Sequence, residues 1–563
     1  MTTYQLREVV PEDIQKELGD YPPMVAQLLF NRGILTKETA KAFLTPDFAL
    51  RHDPFLMTDM EKAVERILVA MKEGERMAVW SDYDCDGIPG AVLFHDFFKA
   101  VGYLNFENYI PHRHDEGFGL NTKGIDALAS RGVTLMITLD CGSTNVDEVI
   151  HARTNGIETI ITDHHEPSAT LPPAFAILNP KRDDAYPFRE LCGTGVAWKL
   201  IEGLIARGSF TLKDGEEKWW LDMVGLATMA DMVSLTGENR LFAHFGMTVM
   251  RKTKRKGLNE MFRALKLDPK TLSDDDIGFS IAPRVNAASR MGKPHDAFHV
   301  FTTTDGVEAR TGAAHLERIN NERKGAVAAM VKDLKKRLVL RDTESVIVIG
   351  SPEWRPSLLG LAANSLAEEY QRPVFVWGRD GRNILKGSCR SDGVVSVVAL
   401  MEHAKDSFIE FGGHHAAGGF AVHEEKIHSL GESLNNAYEK SGGTIRVTQI
   451  VSIDANLTID EVTDSFYRSV VALSPFGVGN TKPIFRFCGI TASSVTAFGK
   501  TKEHTKIIFE GTRSTIEAIS FFKTPDRFTD KLTSHTAVDV IAHVEKSYFM
   551  NRPLVRLRII DVL

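Results

Sequence analysis

Short apolar, β-branched runs that end abruptly on acidic residues set the pattern of the first half of the chain. Ile157-Glu158-Thr159-Ile160-Ile161 reads as a mostly buried strand and leads straight into Thr162-Asp163-His164-His165-Glu166-Pro167. Met77-Ala78-Val79-Trp80 runs in the same way into Ser81-Asp82-Tyr83-Asp84-Cys85-Asp86-Gly87, and residues 134–139 run into Asp140-Cys141-Gly142. Segments of helical period lie between them: residues 59–72, with Ala63, Ile67 and Met71 on one face, then 89–100, 123–129 and 145–155. The alternation from Met77 to about Asp231 predicts βαβ units in a doubly wound parallel sheet. Ligands bind such sheets at the carboxyl ends of the strands, where this pattern gathers five aspartates and two histidines. That many carboxylates share one crevice only when cations neutralise them. The expectation is a metal site.

The pattern then changes twice. Residues 221–231 are a small-residue-rich helical stretch that delivers one more carboxylate, Asp231. Residues from about 312 to 338 carry a long, polar-rich helical period with no Pro, and with no Gly after Gly325, which predicts a rigid connector. A second α/β unit follows, with strands at 345–349 and 374–377, a helix at 354–370 and the glycine-rich stretch Phe411-Gly412-Gly413-His414-His415-Ala416-Ala417-Gly418-Gly419-Phe420. After Ser441-Gly442-Gly443, alternating runs at 449–455, 484–487, 506–509, 515–519 and 554–560 predict a small β-barrel. Residues 1–55 are mixed, with helical patterns at 23–31 and 37–43. The expected domains are therefore 1–55, 56–310, a connector at 311–340, 341–440 and 445–563. There is no internal repeat or low-complexity tract.

Composition narrows the class. A chain of 563 residues is too long for one core. Its 67 Lys and Arg against 74 Asp and Glu give a net charge of −7, which argues against non-specific coating of duplexes and leaves room only for a local basic groove. The densest basic cluster, Arg251-Lys252-Thr253-Lys254-Arg255-Lys256, reads first as a solvated helix end. The five cysteines form no CxxC pair, as expected in a reducing cytoplasm. No run approaches the ~18 apolar residues of a membrane span, and Met1-Thr2-Thr3-Tyr4-Gln5 lacks the features of a signal peptide. The expectation is a soluble, cytoplasmic protein without membrane contact.

Asp82-x-Asp84-x-Asp86-Gly87 invites comparison with a calcium-binding EF-hand loop, but the twelfth position, which needs Glu, is Leu93, and a strand precedes it rather than a helix. A metal-ligating turn, with Gly87 permitting a tight bend, fits better. Asp84, Asp86, Asp140, His164 and Asp231 form an oxygen-rich set suited to Mn²⁺ or Mg²⁺, whereas structural zinc would want paired thiolates. A carboxylate bridging two ions ~4 Å apart would make a two-metal hydrolytic site acting on a phosphoryl group. A lone Asp before a helix is as often an N-cap, but the convergent set favours metal. The glycines at 412–419, with His414 and His415, and Gly387-Ser388-Cys389-Arg390-Ser391 each read as a turn able to approach an anion. Paired in one domain they suggest a phosphate-binding surface facing the metals.

Asp82-Tyr83-Asp84-Cys85-Asp86-Gly87, Asp140, Asp163-His164-His165 and Met229-Ala230-Asp231 resemble motifs one to four of the DHH phosphoesterase superfamily. Pro111-His112-Arg113-His114-Asp115-Glu116-Gly117-Phe118-Gly119-Leu120, Ala282-Pro283-Arg284-Val285-Asn286-Ala287-Ala288-Ser289-Arg290 and Gly387-Ser388-Cys389-Arg390-Ser391 narrow the resemblance to the RecJ exonucleases. The glycine-histidine stretch resembles their DHH-associated domain, and Leu473-Ser474-Pro475-Phe476-Gly477-Val478-Gly479-Asn480 resembles the entry to their oligonucleotide-binding (OB) barrel. The resemblance implies an α/β protein with a parallel-sheet DHH domain, a long connector helix, a second α/β domain and a C-terminal OB barrel. It implies a 5′→3′ exonuclease that degrades single-stranded DNA to 5′-mononucleotides with two Mn²⁺ or Mg²⁺ ions, in DNA repair and recombination. Carried over by motif, Asp82, Asp84, Asp86, Asp140, His164 and Asp231 would ligate the metals, and Asp163 and His165 would orient them or act on the scissile phosphate. Arg113, Ser388, Arg390 and Gly413, with His414, would hold the 5′ phosphate, and Arg284 and Arg290 would touch the backbone. The barrel would bind the strand downstream through a groove and stacking aromatics, and a narrow channel entry would admit one strand but not a duplex. Expected partners are single-stranded DNA, a helicase and a single-strand-binding protein, with the chain itself a monomer.

The sequence departs from the family pattern at Ser289 (usually Gly), Cys85 (a small residue such as Ala), Gly418 (more often Ala) and Trp354-Arg355-Pro356-Ser357, where a Trp-His-x-Gly turn is usual. Three rivals fare worse. Phosphodiesterases of short or cyclic oligonucleotides are shorter and lack the barrel. A pyrophosphatase relative would need His where Trp80 stands, and a catalytically dead scaffold would have lost motif carboxylates that are all present here.

Overall fold

In the computed structural model, residues 2–338, 345–381, 383–441, 449–499, 501–528, 537–548 and 553–563 are described. Gly442 and Gly443 of the expected break, and the expected domain junctions at 340–341 and 445, lie outside them. The first strand, β1 (Thr2–Leu6), pairs in parallel with a strand near residue 450. The strands between build two separate sheets. The first holds β2 (Met77–Ser81), β3 (Phe106–Tyr109), β4 (Leu135–Leu139), β5 (Glu158–Thr162) and β6 (Ala176–Leu178), all parallel, in the order β3-β2-β4-β5-β6. β2 and β4 are buried along their whole length, as their continuous apolar sequence requires of strands covered on both faces. The strand order reverses beside β2, which makes a topological switch point at the carboxyl edge. Register then decides where the chemistry sits. Ser81 pairs with Leu139 and Leu139 with Thr162, so the next residues, Asp82, Asp140 and Asp163, leave the sheet at one level. The ladder continues through them, with Asp82 N–H donating to Leu139 O (3.1 Å), Asp140 N–H to Thr162 O (2.9 Å) and Asp163 N–H to Leu178 O (3.0 Å).

The connector helix runs from Gly306 to Leu338, six residues earlier than its polar period predicts, and at 33 residues spans about 50 Å. Its true start is set by Asp305, whose Oδ1 accepts from the N–H groups of Val307 and Glu308. Beyond it β7 (Ile347–Gly350), β8 (Val374–Arg379), β9 (Leu385–Arg390), β10 (Phe408–Gly413) and β11 (Ala417–Val422) form a mixed sheet in the order β10-β11-β9-β8-β7. Here the sequence reading is corrected: Gly387 to Arg390 lie within strand β9, and the glycine-histidine stretch is the β10–β11 hairpin. Gly and Ser have poor strand propensity, but pairing overrides it. Phe420 lies opposite Gly387, and a Cβ on that glycine would meet the Phe420 ring at 2.0 Å.

These two sheets belong to one compact unit, residues 52–233 and 245–447, and residues 1–51, 234–244 and 448–563 form another. In the latter, β1 pairs with β12 (Gln449–Ile453), and β13 (Ala455–Asn456) leads to the barrel strands. β14 (Phe485–Phe498), β15 (His504–Glu510), β16 (Thr515–Ser520), β17 (Ala537–Ser547) and β18 (Leu554–Val562) pair in the order β14-β15-β16-β18-β17, and β14 pairs again with β17 to close the barrel. Register shifts near Phe487/Ile490 and Ala492/Ser494 bend the long β14 so that it serves both neighbours. Phe485, Phe487, Ile507, Phe509, Val540 and Leu557 fill its core.

Candidate metal centre

The turn after β2 is knitted by its own acids. Asp84 Oδ1 accepts from the N–H groups of Asp86 (2.7 Å) and Gly87 (3.2 Å). Gly87 is needed for room rather than for a bend: it opens the helix Gly87–Ala100, and a Cβ on it would lie 2.4 Å from Asp82 O. Asp86 stands at the N-cap position of that helix yet makes no side-chain cap bond there. Its carboxylate instead accepts from Gly193 N–H (2.6 Å) and Thr194 N–H (2.8 Å) at the start of the helix Gly193–Arg207. Asp140 holds a left-handed backbone (φ 60°), uncommon for a residue with a side chain and frequent at functional sites.

These elements bring all the predicted ligands together. Donor atoms of Asp82, Asp84 and Asp140 lie within 4.8 Å of one another, as do those of Asp86, His164 and Asp231, and those of Asp140, His164 and His165. His164 Nε2 is 3.3 Å from Asp140 Oδ1, 3.7 Å from Asp231 Oδ2 and 3.8 Å from Asp86 Oδ2. Burial, then the neighbouring carboxylates, pushes Asp82 and Asp140 well above the usual carboxylate range and Asp231 up to about 9. Burial holds His164 below the ordinary imidazole value. Asp82 Oδ1 and His164 Nε2 are buried without a hydrogen-bond partner. Orphaned oxygen and imidazole donors among mutually repelling carboxylates fit divalent cations of the Mn²⁺ or Mg²⁺ kind, with Asp140 shared between two ligand groups.

Asp163 is already fully engaged. Its Oδ1 accepts from His164 N–H (2.8 Å) and His165 Nδ1 (2.8 Å), and its Oδ2 from Ser143 N–H (2.9 Å). Burial opposes the Asp163 charge, but the His165 bond prevails and holds the carboxyl below its ordinary value. Burial likewise opposes protonation of His165, and Asp163 overcomes it, raising the imidazole to about 9. Asn179 Nδ2 donates to Ser143 Oγ and His165 O, both at 2.9 Å, and fixes the loop from behind. The sequence reading missed Ser143, Asn179, Gly193, Thr194 and Asn286, whose Oδ1 accepts from Cys85 N–H (2.9 Å). The small-residue helix start Cys192-Gly193-Thr194-Gly195 carried the signal of an anion-holding N-terminus, and Asn286 lay within the motif of residues 282–290 without a role assigned to it.

A cleft of about 1060 Å³ adjoins the centre, lined among others by Tyr83, Arg113, Phe118, Arg355, Gly387 and Gly412. Arg113 lies 4.8 Å over the Tyr83 ring, and the Phe118 ring meets His165 edge-on at 5.6 Å. Ser388 and Arg390 sit on β9, paired with Gly419 and Ala417 of the hairpin, and Arg390 Nη1 donates to Cys389 O. Gly413 (φ 143°) pairs with Gly418, and His414 is exposed at the hairpin tip. Arg284 and Arg290 are tied up within the protein. Arg284 pairs with Glu317 (2.8 Å), while Arg290 donates to Ser357 O (2.9 Å) and is held down to about 10 by burial and by Arg113. The basic cluster follows the helix Gly237–Met250 with Arg251, Lys252, Lys254 and Lys256 exposed, the solvated end the sequence suggests; Arg255 departs from it, largely buried between Asp96 (2.6 Å) and Asp222 (2.7 Å). On the barrel, His504 lies 4.8 Å from the Phe522 ring, 5.1 Å from Phe498 and 5.2 Å from Phe521, with Arg558 4.3 Å over Phe521.

Comparison with known proteins agrees with this anatomy. The DHH family N-terminal domain matches residues 76–228, the DHHA1 domain 343–440 and the RecJ OB domain 453–561. The single-stranded-DNA-specific exonuclease RecJ of Bacillus subtilis is 31% identical over 543 residues, covering 96% of this chain and 68% of the relative. That of Escherichia coli is 29% identical over 509 residues, 85% of this chain and 86% of the relative. The crystal structure of RecJ from Thermus thermophilus in complex with Mn²⁺ superposes with a TM-score of 0.84 at 25% identity, covering 100% of this chain and 79% of that one. The chain belongs to the RecJ family.

Proposed function

We propose that this protein is a metal-dependent exonuclease that degrades single-stranded DNA from the 5′ end to 5′-mononucleotides. One observation carries the reading: Asp82, Asp84, Asp86, Asp140, His164 and Asp231 converge at one sheet edge, where Asp82 Oδ1 and His164 Nε2 are buried without a hydrogen-bond partner. The names of the relatives, single-stranded-DNA-specific exonucleases, and the Mn²⁺ in the Thermus structure support the substrate and the metal. Those six residues would hold two Mn²⁺ or Mg²⁺ ions, which when bound polarise the phosphoryl oxygens and lower the pKa of a water. Asp163 orients His165, which beside the cleft would offset charge on the phosphate or protonate the leaving oxygen. Arg113, with Ser388, Arg390, Gly413 and His414 of the second sheet, would hold the terminal phosphate. Arg284 and Arg290, each with one edge of its guanidinium on a protein partner, would touch the backbone of the strand. The aromatic cluster of the barrel would stack bases. In this reading 56–310 is the catalytic domain, 341–440 the phosphate-holding domain and 445–563 the strand-binding domain, in a cytoplasmic monomer fed by a helicase and a single-strand-binding protein. Among the described residues no helix is long and apolar enough to cross a membrane.

The test is a time course on 5′-phosphorylated single-stranded DNA labelled at either end, with Mn²⁺, Mg²⁺ or EDTA, beside a matched duplex and an Asp140→Ala protein. Mononucleotides from the 5′ end of the single strand alone, lost with EDTA and with the substitution, are expected. Cleavage confined to dinucleotides, or binding without product under any metal, would overturn the reading.

A further inference from the structure

We infer that Asn286 is a positioning residue for the metal-binding turn, an assignment that rests on the metal reading above. The turn's ligands are held from several sides. Asp84 binds the turn's own N–H groups, and Asp86 is seated on the N-terminus of the helix Gly193–Arg207. Neither contact fixes the peptide of Cys85, which lies between the two ligands. That peptide N–H points to Asn286 Oδ1 at 2.9 Å, across 201 positions of sequence. Asn286 projects from the helix Ala282–Met291, and the Cys85 side chain is buried in the same core as Ala287 and Ala288.

This helix is itself anchored on three sides. Arg284 pairs with Glu317 of the connector helix. Arg290, one turn beyond Asn286, exchanges bonds with Ser357: its Nη1 donates to Ser357 O (2.9 Å), and Ser357 Oγ donates to Arg290 O (3.0 Å). His114 Nε2 contacts the same Arg290 carbonyl at 3.1 Å. Asn286 therefore transmits to the turn the position of a helix braced against both the connector and the second α/β layer. Groups that orient metal ligands without touching the metal usually contribute about 10- to 100-fold to metal affinity.

The experiment measures Mn²⁺ affinity of the full chain by electron paramagnetic resonance of the free ion, together with the metal-free melting temperature and the split of KM and kcat. Asn286→Ala is expected to weaken Mn²⁺ binding by about 10- to 100-fold and to lower kcat, with the metal-free melting temperature little changed. Asn286→Asp keeps an acceptor oxygen in place and is expected to restore affinity. Asn286→Gln keeps the amide but moves the oxygen by a methylene, and it is expected to lose affinity even if the alanine variant folds poorly. Unchanged Mn²⁺ affinity in Asn286→Ala and Asn286→Gln beside a lowered melting temperature would overturn the inference and leave a merely structural role. A wild-type chain that binds no Mn²⁺ would overturn the metal reading itself, and this one with it.

Discussion

Gly193 lies against Asp140 so closely that a Cβ on the glycine would sit 2.6 Å from the Asp140 Cβ, and its N–H meets Asp86 Oδ2 at 2.6 Å. One residue without a side chain thus spaces two carboxylates that belong to different ligand groups. Gly193→Ala is expected to push Asp140 and Asp86 off their positions, costing about 1–3 kcal/mol in stability and at least ten-fold in Mn²⁺ affinity. Calorimetry with and without Mn²⁺ separates the two effects. A variant with wild-type metal affinity would show that the centre tolerates a shift of its shared carboxylate.

The crowded carboxylates make the metal-free protein the strained one. Asp140→Asn removes a buried carboxyl whose ionisation is opposed by burial and by Asp82, Asp84, Asp86 and Asp231, and is expected to raise metal-free stability. The same change is expected to abolish stabilisation by Mn²⁺, which in the wild type reaches about 2.7 kcal/mol at free metal 100-fold above Kd. The pH dependence has a definite sign. Asp231 titrates at about 9 when folded against roughly 3.9 when unfolded, so the unfolded chain releases this proton first. Metal-free stability therefore falls as pH rises through that window and levels off above it. Asp231→Asn is expected to flatten the slope in denaturant titrations run in EDTA.

Phe522 is 77% exposed and held at φ 57°, a backbone region that penalises a side chain by about 1–2 kcal/mol. Its N–H donates to His504 Nδ1 (3.0 Å), and its ring stands beside His504, where under the proposed function it would stack a base. Phe522→Gly is expected to raise barrel stability by about 1 kcal/mol. It is also expected to weaken single-strand binding by about 1–3 kcal/mol, seen as a higher KM at unchanged kcat. Loss of neither affinity nor KM would remove the barrel's aromatic cluster from the substrate path.

The layered α/β fold was legible because strands buried on both faces must be apolar throughout, and β2, β4 and β5 each stop on an aspartate at one register. That pattern gathered the carboxylates of the strand ends, while Asp231, at the end of the helix Leu221–Ala230, joined the candidate set from a helical stretch and the family motifs. Three things escaped. Gly387-Ser388 and the hairpin glycines form strands because pairing and the Phe420 ring override weak propensity, which no local pattern displays. Gly193 and Asn286 act on residues more than 50 and 200 positions away in sequence, so neither the small-residue helix start nor the motif that contains them shows what they touch. Arg284 and Arg290 read as cations for phosphate, and Arg255 as part of a solvated helix end, but the bonds that each makes to Glu317, Ser357 and Asp96 come from partners that only the fold supplies.

Arg255 shows how far such pairing goes. It is buried with Asp96 and Asp222, and the paired charges hold its guanidinium above the ordinary range despite burial. Removing one partner of such a pair leaves an uncompensated buried charge, so Arg255→Ala is expected to cost about 3–5 kcal/mol. Lys252, two positions past the end of the helix Gly237–Met250 and exposed, offers the contrast: Lys252→Ala is expected to stay within about 0.5 kcal/mol of wild type. If the cluster served nucleic acid instead, Lys252→Ala would lower the salt dependence of strand binding by about 0.7 per lost phosphate contact, and Arg255→Met would leave stability intact while impairing binding. Chemical denaturation beside a salt titration of DNA affinity decides between a folding role and a binding role. The geometry of the two carboxylates around Arg255 predicts the folding role.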